Sequence, residues 1–219
     1  MMNRFIPFLL CALISLQGLA QTRIFVVGGF SGTDGGNLST YIAKHDPAPF
    51  LELDFERKII GSVSFLTGLT YFGVGYQNES GIFGSASKFD ANYLGVPLMM
   101  RWSLGNKNFF CLDLGFEPYY MLSANLQESI TDSFGTVRTA SGEISGYSNR
   151  FYLSGRIQET IMFNRFTISL VFMLPFHGQS SIKNLADHWA LNQQQSTYLL
   201  SNGYADFMLY GVTIGFRLR

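Results

Sequence analysis

The chain has 219 residues, of which 47% are hydrophobic, 16% are aromatic and 14% are charged, and its 15 basic and 15 acidic side chains leave no formal net charge. A low and balanced charge argues against a nucleic-acid partner, because such a partner would require a basic patch. The apolar residues are spread along the chain in short periods, and no stretch is long enough for a transmembrane helix. Any residence in a membrane would therefore have to be through strands.

The first residues have the features of a secretory signal peptide. Asn3 and Arg4 precede an apolar run over residues 5–16, and small residues follow before Gln21. The run is shorter than the about 20 residues that a helix needs to span a bilayer. We therefore predict a signal peptide over residues 1–20 and a single barrel domain over residues 21–219. After cleavage only Cys111 remains, so no disulfide within the chain is predicted.

Alternation of apolar and polar side chains predicts eight β-strands. They cover residues 23–30, 50–59, 62–76, 93–104, 110–122, 150–163, 166–177 and 204–219. The connections after the first, third, fifth and seventh strands are long and polar, whereas the other three are short turns. The four long connections cover residues 31–49, 77–91, 126–149 and 178–203. Within the last one, residues 182–195 have apolar side chains at helical spacing, which predicts a helical turn or two.

Each predicted strand has one apolar face and one face that carries the polar and charged residues. Such a strand fits a soluble barrel with an apolar interior, as in lipocalins, or a membrane barrel with an apolar exterior. Outer-membrane barrels have short periplasmic turns and longer extracellular loops, with both termini on the periplasmic side. The alternating connections favour this second class. We predict an all-β fold, an eight-stranded antiparallel up-and-down transmembrane β-barrel located in the outer membrane.

Two sets of side chains follow from this orientation. Charged residues opposite the apolar stripes would share the lumen and neutralise one another: Glu52, Asp54, Glu56, Arg101, Asp113, Glu117, Arg156 and Arg217. Outward aromatic residues cluster at the strand ends, where lipid-interface girdles belong. They are Trp102, Phe110, Phe163, Phe166 and Phe216 near the short turns, and Tyr120, Phe151, Phe176 and Tyr204 near the long loops. Glu159 falls on the apolar face of its strand, and the pattern does not explain it.

The sequence holds only weak candidates for chemistry. His177 lies at the loop end of a strand, close to Ser180 and Ser181, where a lipid-modifying barrel enzyme would place a base and a nucleophile. A histidine at the barrel rim is the simpler interpretation, because hydrolysis also needs a third group that orients the base. The loop carboxylates lack the spacing of a calcium or zinc site. We predict no enzymatic activity, no metal and no cofactor.

The size of the barrel limits transport. Eight strands enclose an interior that side chains roughly fill, which argues against a wide solute channel. We predict a structural, interaction or accessory role exerted through the extracellular loops. The predicted partners are membrane lipid, the barrel-assembly machinery during insertion and a protein bound at the loops. A lipid-modifying enzyme and a narrow channel are the alternatives that this interpretation leaves open.

Some stretches of the chain resemble a known family. The end of the signal at residues 19–21 (LAQ), residues 93–98 (YLGVPL) and the plan of eight strands are similar to the small outer-membrane β-barrel domain proteins of the Bacteroidota, the PorT-like group. Residues 211–216 (GVTIGF) are similar to the signal that the barrel-assembly machinery recognises in a final strand, although Arg219 replaces the usual terminal aromatic. The resemblance implies an outer-membrane barrel over the mature chain. PorT itself is linked to type IX secretion, which no residue here demonstrates.

Overall fold

The computed structural model describes residues 22–35, 43–80, 85–105, 109–131, 137–143, 145, 150–176 and 207–218. The described residues form strands joined by turns. In chain order the strands are β1 (Thr22–Gly35), β2 (Ala43–Asp46), β3 (Ala48–Ile60), β4 (Val63–Ser80), β5 (Ser85–Gly95), β6 (Leu98–Leu104), β7 (Phe110–Thr131), β8 (Val137–Glu143), β9 (Phe151–Phe163), β10 (Phe166–Pro175) and β11 (Phe207–Arg217). No helix within the described part of the chain is long and apolar enough to cross a membrane.

The sheet closes on itself because β1 pairs with β3 on one side and with β11 on the other. Around the barrel, β1 is followed by β3 and β4, then by β5 and β6 together, and then by β7, β9, β10 and β11. Every pairing between neighbours is antiparallel. The strands β5 and β6 count as one barrel strand, since both lie between β4 and β7 and only Val96 and Pro97 separate them. The predicted fold, an eight-stranded antiparallel up-and-down barrel, is confirmed.

Short turns gather at one end of the barrel, which we call the short-turn end. Gly61 follows β3 with a φ of 53°, and Asn164 follows β9 with a φ of 57°. Both values lie in the left-handed region, which glycine and asparagine adopt most readily. The start of β1 and the end of β11 lie at this same end, because Phe25 is the register partner of Arg217. We call the opposite end the long-loop end.

The strands extend further toward the long-loop end than the sequence predicts. β4 and β5 pair as far as Ser80 and Ser85, within the predicted loop 77–91. The pairing of β7 with β8 forms a hairpin within the predicted loop 126–149. The two loop predictions are wrong in this respect. In these extensions the alternation of apolar and polar residues disappears from the sequence, while the backbone ladder continues. The predicted signal peptide and the helical turn at 182–195 lie outside the described residues.

The barrel wall has an apolar outside and a mixed inside. Along β10 the side chains of Ile168, Leu170 and Phe172 are exposed on the outer face, while Ser169 and Val171 are buried in the lumen. Ile214 on β11 is 63% exposed, on the outer face. The alternative of a soluble barrel with an apolar core required these stripes to meet at the centre. The structure places them on the outside and excludes that alternative.

Candidate functional site

The interior of the barrel is filled with side chains in three layers. Two layers are ionic, and we call them the short-turn cluster (Arg23, Glu56, Arg101, Asp113) and the central cluster (Glu52, Thr70, Glu117, Arg156, Gln158). The third, the aromatic layer (Phe50, Phe72, Tyr93, Tyr119, Tyr152), lies on the long-loop side of the central cluster. Because lumen-facing residues alternate with outer residues, β3, β4, β7 and β9 each contribute to more than one layer.

The short-turn cluster is organised by Arg101, which is almost fully buried. Its Nε and Nη2 atoms donate to the two carboxylate oxygens of Asp113, both at 2.7 Å, which is the bidentate geometry that favours arginine. Its Nη1 atom donates to Glu56 at 3.1 Å. Glu56 also accepts from Arg23 at 3.4 Å, where the arginine is partly open to solvent. The guanidinium of Arg101 lies 5.6 Å from the ring centre of Phe25.

The central cluster is organised by Arg156. Its Nη2 atom donates to Glu52 on β3, and its Nη1 atom donates to Glu117 on β7, both at 2.7 Å. Arg156 also donates to the side chain of Gln158. Both ion pairs are fully buried, and the pair with Glu52 joins residues 104 positions apart. A single guanidinium on β9 thus ties together three strands around the lumen.

Glycines on the lumen face give the carboxylates room. A Cβ atom added to Gly95 would collide with the carboxylate of Glu117, and one added to Gly68 would lie 2.9 Å from Oδ1 of Asp54. A larger residue at position 95 would displace Glu117 from Arg156, and one at position 68 would collide with the backbone oxygen of Leu53 and crowd Asp54. The glycine content of the strands is therefore part of the ionic architecture.

The structure brings seven of the eight predicted lumen charges into the interior and leaves one at the rim. Five carboxylates (Glu52, Asp54, Glu56, Asp113 and Glu117) lie beside Arg101 and Arg156, and each of the seven is at most 3% exposed. Asp54 lies between the two clusters, within electrostatic reach of both arginines, and its Oδ1 atom has no hydrogen-bond partner among the described residues. Arg217 faces inward at the short-turn end, half-buried, and joins neither cluster.

The aromatic layer was not predicted. The rings of Phe72 and Tyr93 stack at 5.2 Å, those of Tyr119 and Tyr152 stack at 5.4 Å, and Tyr93 meets Tyr119 edge to face at 5.4 Å. None of these side chains is more than 4% exposed, and Met121, Val171, Met173 and Leu209 pack around them. The sequence signal was available, since residues 93, 119 and 152 share their strand faces with Arg101, Glu117 and Arg156. Aromatic residues there must point into the lumen.

No protein-family model matches the chain, and no curated protein matches its sequence. Solved structures similar to it include Ail, the attachment invasion locus protein of Yersinia pestis, which is 10% identical with a TM-score of 0.45 over 90% of this chain and 97% of its own. Another is CarO of Acinetobacter baumannii, which is 9% identical with a TM-score of 0.44 over 86% of this chain and 96% of its own. Likeness at this level supports no argument about function.

The predicted girdle residues lie on the outer face wherever the structure describes them. At the short-turn end Phe163 meets Phe109 edge to face, Phe166 meets Phe216 in the same way, both at 5.2 Å, and Trp102 and Phe110 are half-buried. Toward the long-loop end Tyr120 and Phe151 are register partners, and Phe176 lies 5.8 Å from Phe116. Tyr204 is outside the described residues. Two bands of exposed rings therefore flank a mainly aliphatic belt, which also carries Phe172 and Tyr210.

The candidates for chemistry fall mostly outside the described residues, where His177, Ser180 and Ser181 all lie. Within the described ranges no group of three histidine, cysteine or acidic side chains is arranged to hold a metal ion. Cys111 is buried in the lumen, with its sulfur 3.5 Å from the hydroxyl of Ser103. The described site is thus a packed ionic and aromatic interior.

Proposed function

We propose that this protein is an outer-membrane β-barrel with a closed lumen, and that it acts as a structural or interaction protein through its long-loop end, which faces the cell exterior. The observation that carries the proposal is the filled interior. The central cluster and the aromatic layer are both buried, and together they occupy the lumen from wall to wall. A barrel of eight strands that is filled in this way is suited to anchoring and display.

The outer surface supports a membrane location. Mainly aliphatic side chains cover the middle of the barrel, and exposed aromatic rings such as Phe163 and Phe151 lie toward its two ends. This is the distribution expected for a barrel in a bilayer, with an apolar band about 25 Å tall between aromatic girdles. The predicted signal peptide and the asymmetry of short turns and long loops favour the outer membrane, with the short turns in the periplasm.

The hairpin of β7 and β8 is the part of the long-loop end that we propose as the contact for a protein partner. It projects beyond the pairing of β7 with β9, which ends at Tyr120 and Phe151. Polar contacts shape its surroundings, including Ser129 with Thr139 at 3.1 Å and Arg150 with Ser145 at 2.9 Å. A polar hairpin held above the membrane by a rigid barrel suits recognition of another macromolecule.

The finer assignment, to the PorT-like group with a role accessory to secretion, is a proposal that rests on residues 93–98. In this stretch Tyr93 belongs to the aromatic layer, and Gly95 leaves room for Glu117. Pro97 separates β5 from β6, since it cannot donate a hydrogen bond to the ladder. The stretch that carries the resemblance therefore builds the lumen, and it supports likeness in architecture more than in task.

The proposal is tested by two measurements on the purified mature chain. In planar bilayers we expect no steady conductance, because the aromatic layer and the central cluster close the lumen. In the second measurement, residues 126–149 are replaced by a two-residue turn, and N164G at the opposite end is the control. We expect both variants to fold, and only the hairpin deletion to lose the protein that the intact chain retains from detergent-solubilised outer membranes. A steady conductance, or retention of that protein by the deletion variant, would contradict the proposal.

A further inference from the structure

Glu159 is a carboxylate on the lipid-facing side of the barrel. It is exposed on the outer face of β9, between Ile157 and Ile161, and its register partners on the two neighbouring strands are Leu112 and Leu170. All four of these neighbours are apolar and face outward. An ionisable side chain inside a membrane is rare and marks a functional contact by default.

The depth of Glu159 places it away from the lipid headgroups. The exposed rings of Phe151 and Phe163 mark the two ends of β9, and Glu159 is eight residues from the first and four from the second. With about 3.3 Å per residue and a strand tilt of about 40°, it lies about 10 Å inside the girdle of the short-turn end. A glutamate side chain is too short to cover that distance, so a partner has to meet it within the membrane.

The same chain carries a complementary cation on its outer face, somewhat nearer the short-turn end. Arg57 is exposed on the outer face of β3, where its register partners are Phe65 on β4 and Thr22 on β1. It is three residues from the end of β3 at Ile60, and Glu159 is four residues from the end of β9. The register around the barrel links Glu159 to Ile60 in one direction and to Pro49 in the other, so the level position on β3 lies midway between these two residues. Arg57 is therefore about 6 Å nearer the short-turn end than Glu159, a distance that an arginine side chain spans. The guanidinium has five donors, so it can bind a carboxylate and keep a contact within its own chain.

The two residues lie on opposite sides of the barrel. Around the ring β3 is the second strand and β9 is the sixth of eight, so Arg57 and Glu159 of one molecule cannot meet. We propose that copies of this chain associate head to tail in the plane of the membrane, with Glu159 of one copy bound to Arg57 of the next. A two-fold symmetric contact through β9 would instead bring two Glu159 carboxylates together, which is repulsive.

The pairing of Glu159 with Arg57 favours this head-to-tail contact over other contacts between barrel faces. Apolar strand faces gain little from meeting each other in lipid, because lipid tails are as apolar as the side chains. In the low dielectric of the bilayer a charge-assisted hydrogen bond is strong and an unpaired charge is unfavourable. A head-to-tail contact between opposite faces does not close on itself, so it predicts rows of barrels.

To test the inference, the mature chain is labelled with one fluorophore and reconstituted in phosphatidylcholine vesicles. The number of copies in each assembly is then measured by counting photobleaching steps at increasing protein density. We expect assemblies larger than dimers. E159Q and R57Q should each weaken self-association by about tenfold or more, the effect of losing one charge-assisted pair. The double reversal R57E/E159R should restore it. R165Q, which removes an exposed cation from the turn next to β9, is the matched control and should behave as the wild type.

Several outcomes would overturn the inference. They are a wild-type chain that stays monomeric at every density, assembly that stops at dimers, and a loss with E159Q that R57Q does not reproduce. A loss of self-association with E159Q but not with R57Q would mean that Glu159 binds a donor other than Arg57. Cross-linking gives an independent measurement, with F55C and L170C placed beside the two charges. The double-cysteine chain should form a ladder with a short thiol-reactive linker, and neither single variant should do so. Heat-modifiable migration in gels verifies that each variant is folded.

Discussion

Arg156 meets lumen partners from two distant strands, β3 and β7. Its guanidinium pairs with Glu52 and Glu117 at 2.7 Å, and the ring centre of Phe50 lies 5.6 Å away. The planar fork of arginine can serve two carboxylates at once, which a lysine ammonium does with less geometric control. Taking these charges out of water is unfavourable, so the presence of the two buried ion pairs does not by itself show that they stabilise the fold. Removing one partner alone is strongly destabilising.

We expect R156M to lower the free energy of unfolding by about 3–5 kcal/mol at neutral pH, because it leaves Glu52 and Glu117 buried without a cation. The measurement is urea unfolding in phospholipid vesicles, followed by tryptophan fluorescence. R23M is the matched control and should lower the free energy by about 0–1 kcal/mol, since Arg23 is partly exposed and Glu56 keeps Arg101.

The triple variant E52Q/E117Q/R156M separates charge from packing. It removes all three charges of the two ion pairs and should recover most of the stability lost in R156M, because no unpaired charge remains. Equal unfolding midpoints for R156M and R23M would show that the central cluster has no energetic role.

At the scale of elements, the hairpin of β9 and β10 shows how the local sequence sets the geometry of the barrel. The strands pair from Phe163 and Phe166 upward, with only Asn164 and Arg165 between them. Asn164 has a φ of 57°, in the left-handed region. Asparagine adopts this conformation with less strain than residues other than glycine. The turn fixes the register, and the register decides which side chains face the lumen.

We expect N164A to destabilise the barrel by about 1 kcal/mol, the strain of placing alanine in the left-handed region. N164G should be neutral or slightly stabilising, because glycine adopts this conformation freely. The measurement is again the midpoint of urea unfolding in vesicles. If alanine and glycine give the same midpoint, the backbone conformation at Asn164 does not limit the stability of this hairpin.

At the scale of the whole molecule, the barrel has a belt of exposed apolar side chains around its middle, which the proposed membrane location places in lipid. Leu69 is exposed on the outer face of β4, six residues from the start of that strand at Val63, and thus well inside the apolar belt. Ile60 is 73% exposed and lies at the turn between β3 and β4. The two apolar side chains belong to one hairpin and differ in depth.

We expect L69R to lower the free energy of unfolding in vesicles by about 2–4 kcal/mol, and I60R by about 0–1 kcal/mol, because an arginine is tolerated near the interface and disfavoured toward the centre of the bilayer. The measurement is urea unfolding of both variants in the same vesicles. Equal effects of the two substitutions would contradict the membrane location of the belt.

Much of the architecture follows from the alternation of side chains along each strand. The pattern around Leu112 and Asp113 indicates two faces, and the balance of long and short connections indicates which face meets lipid. The inward glutamates and arginines were therefore identifiable one by one. The pattern failed toward the long-loop end, where β4, β5 and β7 continue as polar strands. The alternation pattern also does not explain Glu159. Its carboxylate on the outer face would be stabilised by the neighbouring copy of the chain that we propose.

The sequence by itself determined the strands, their apolar faces and the sign of each lumen charge, because a period of two is a local property of an extended chain. Only the tertiary structure decided which charges meet. Glu52 and Arg156 lie 104 residues apart, and their contact depends on the closure of β1 against β11 and on the stagger of all eight strands. The aromatic layer and the opposite placement of Arg57 and Glu159 depend on that same closure, since height and direction around a barrel are properties of the ring as a whole.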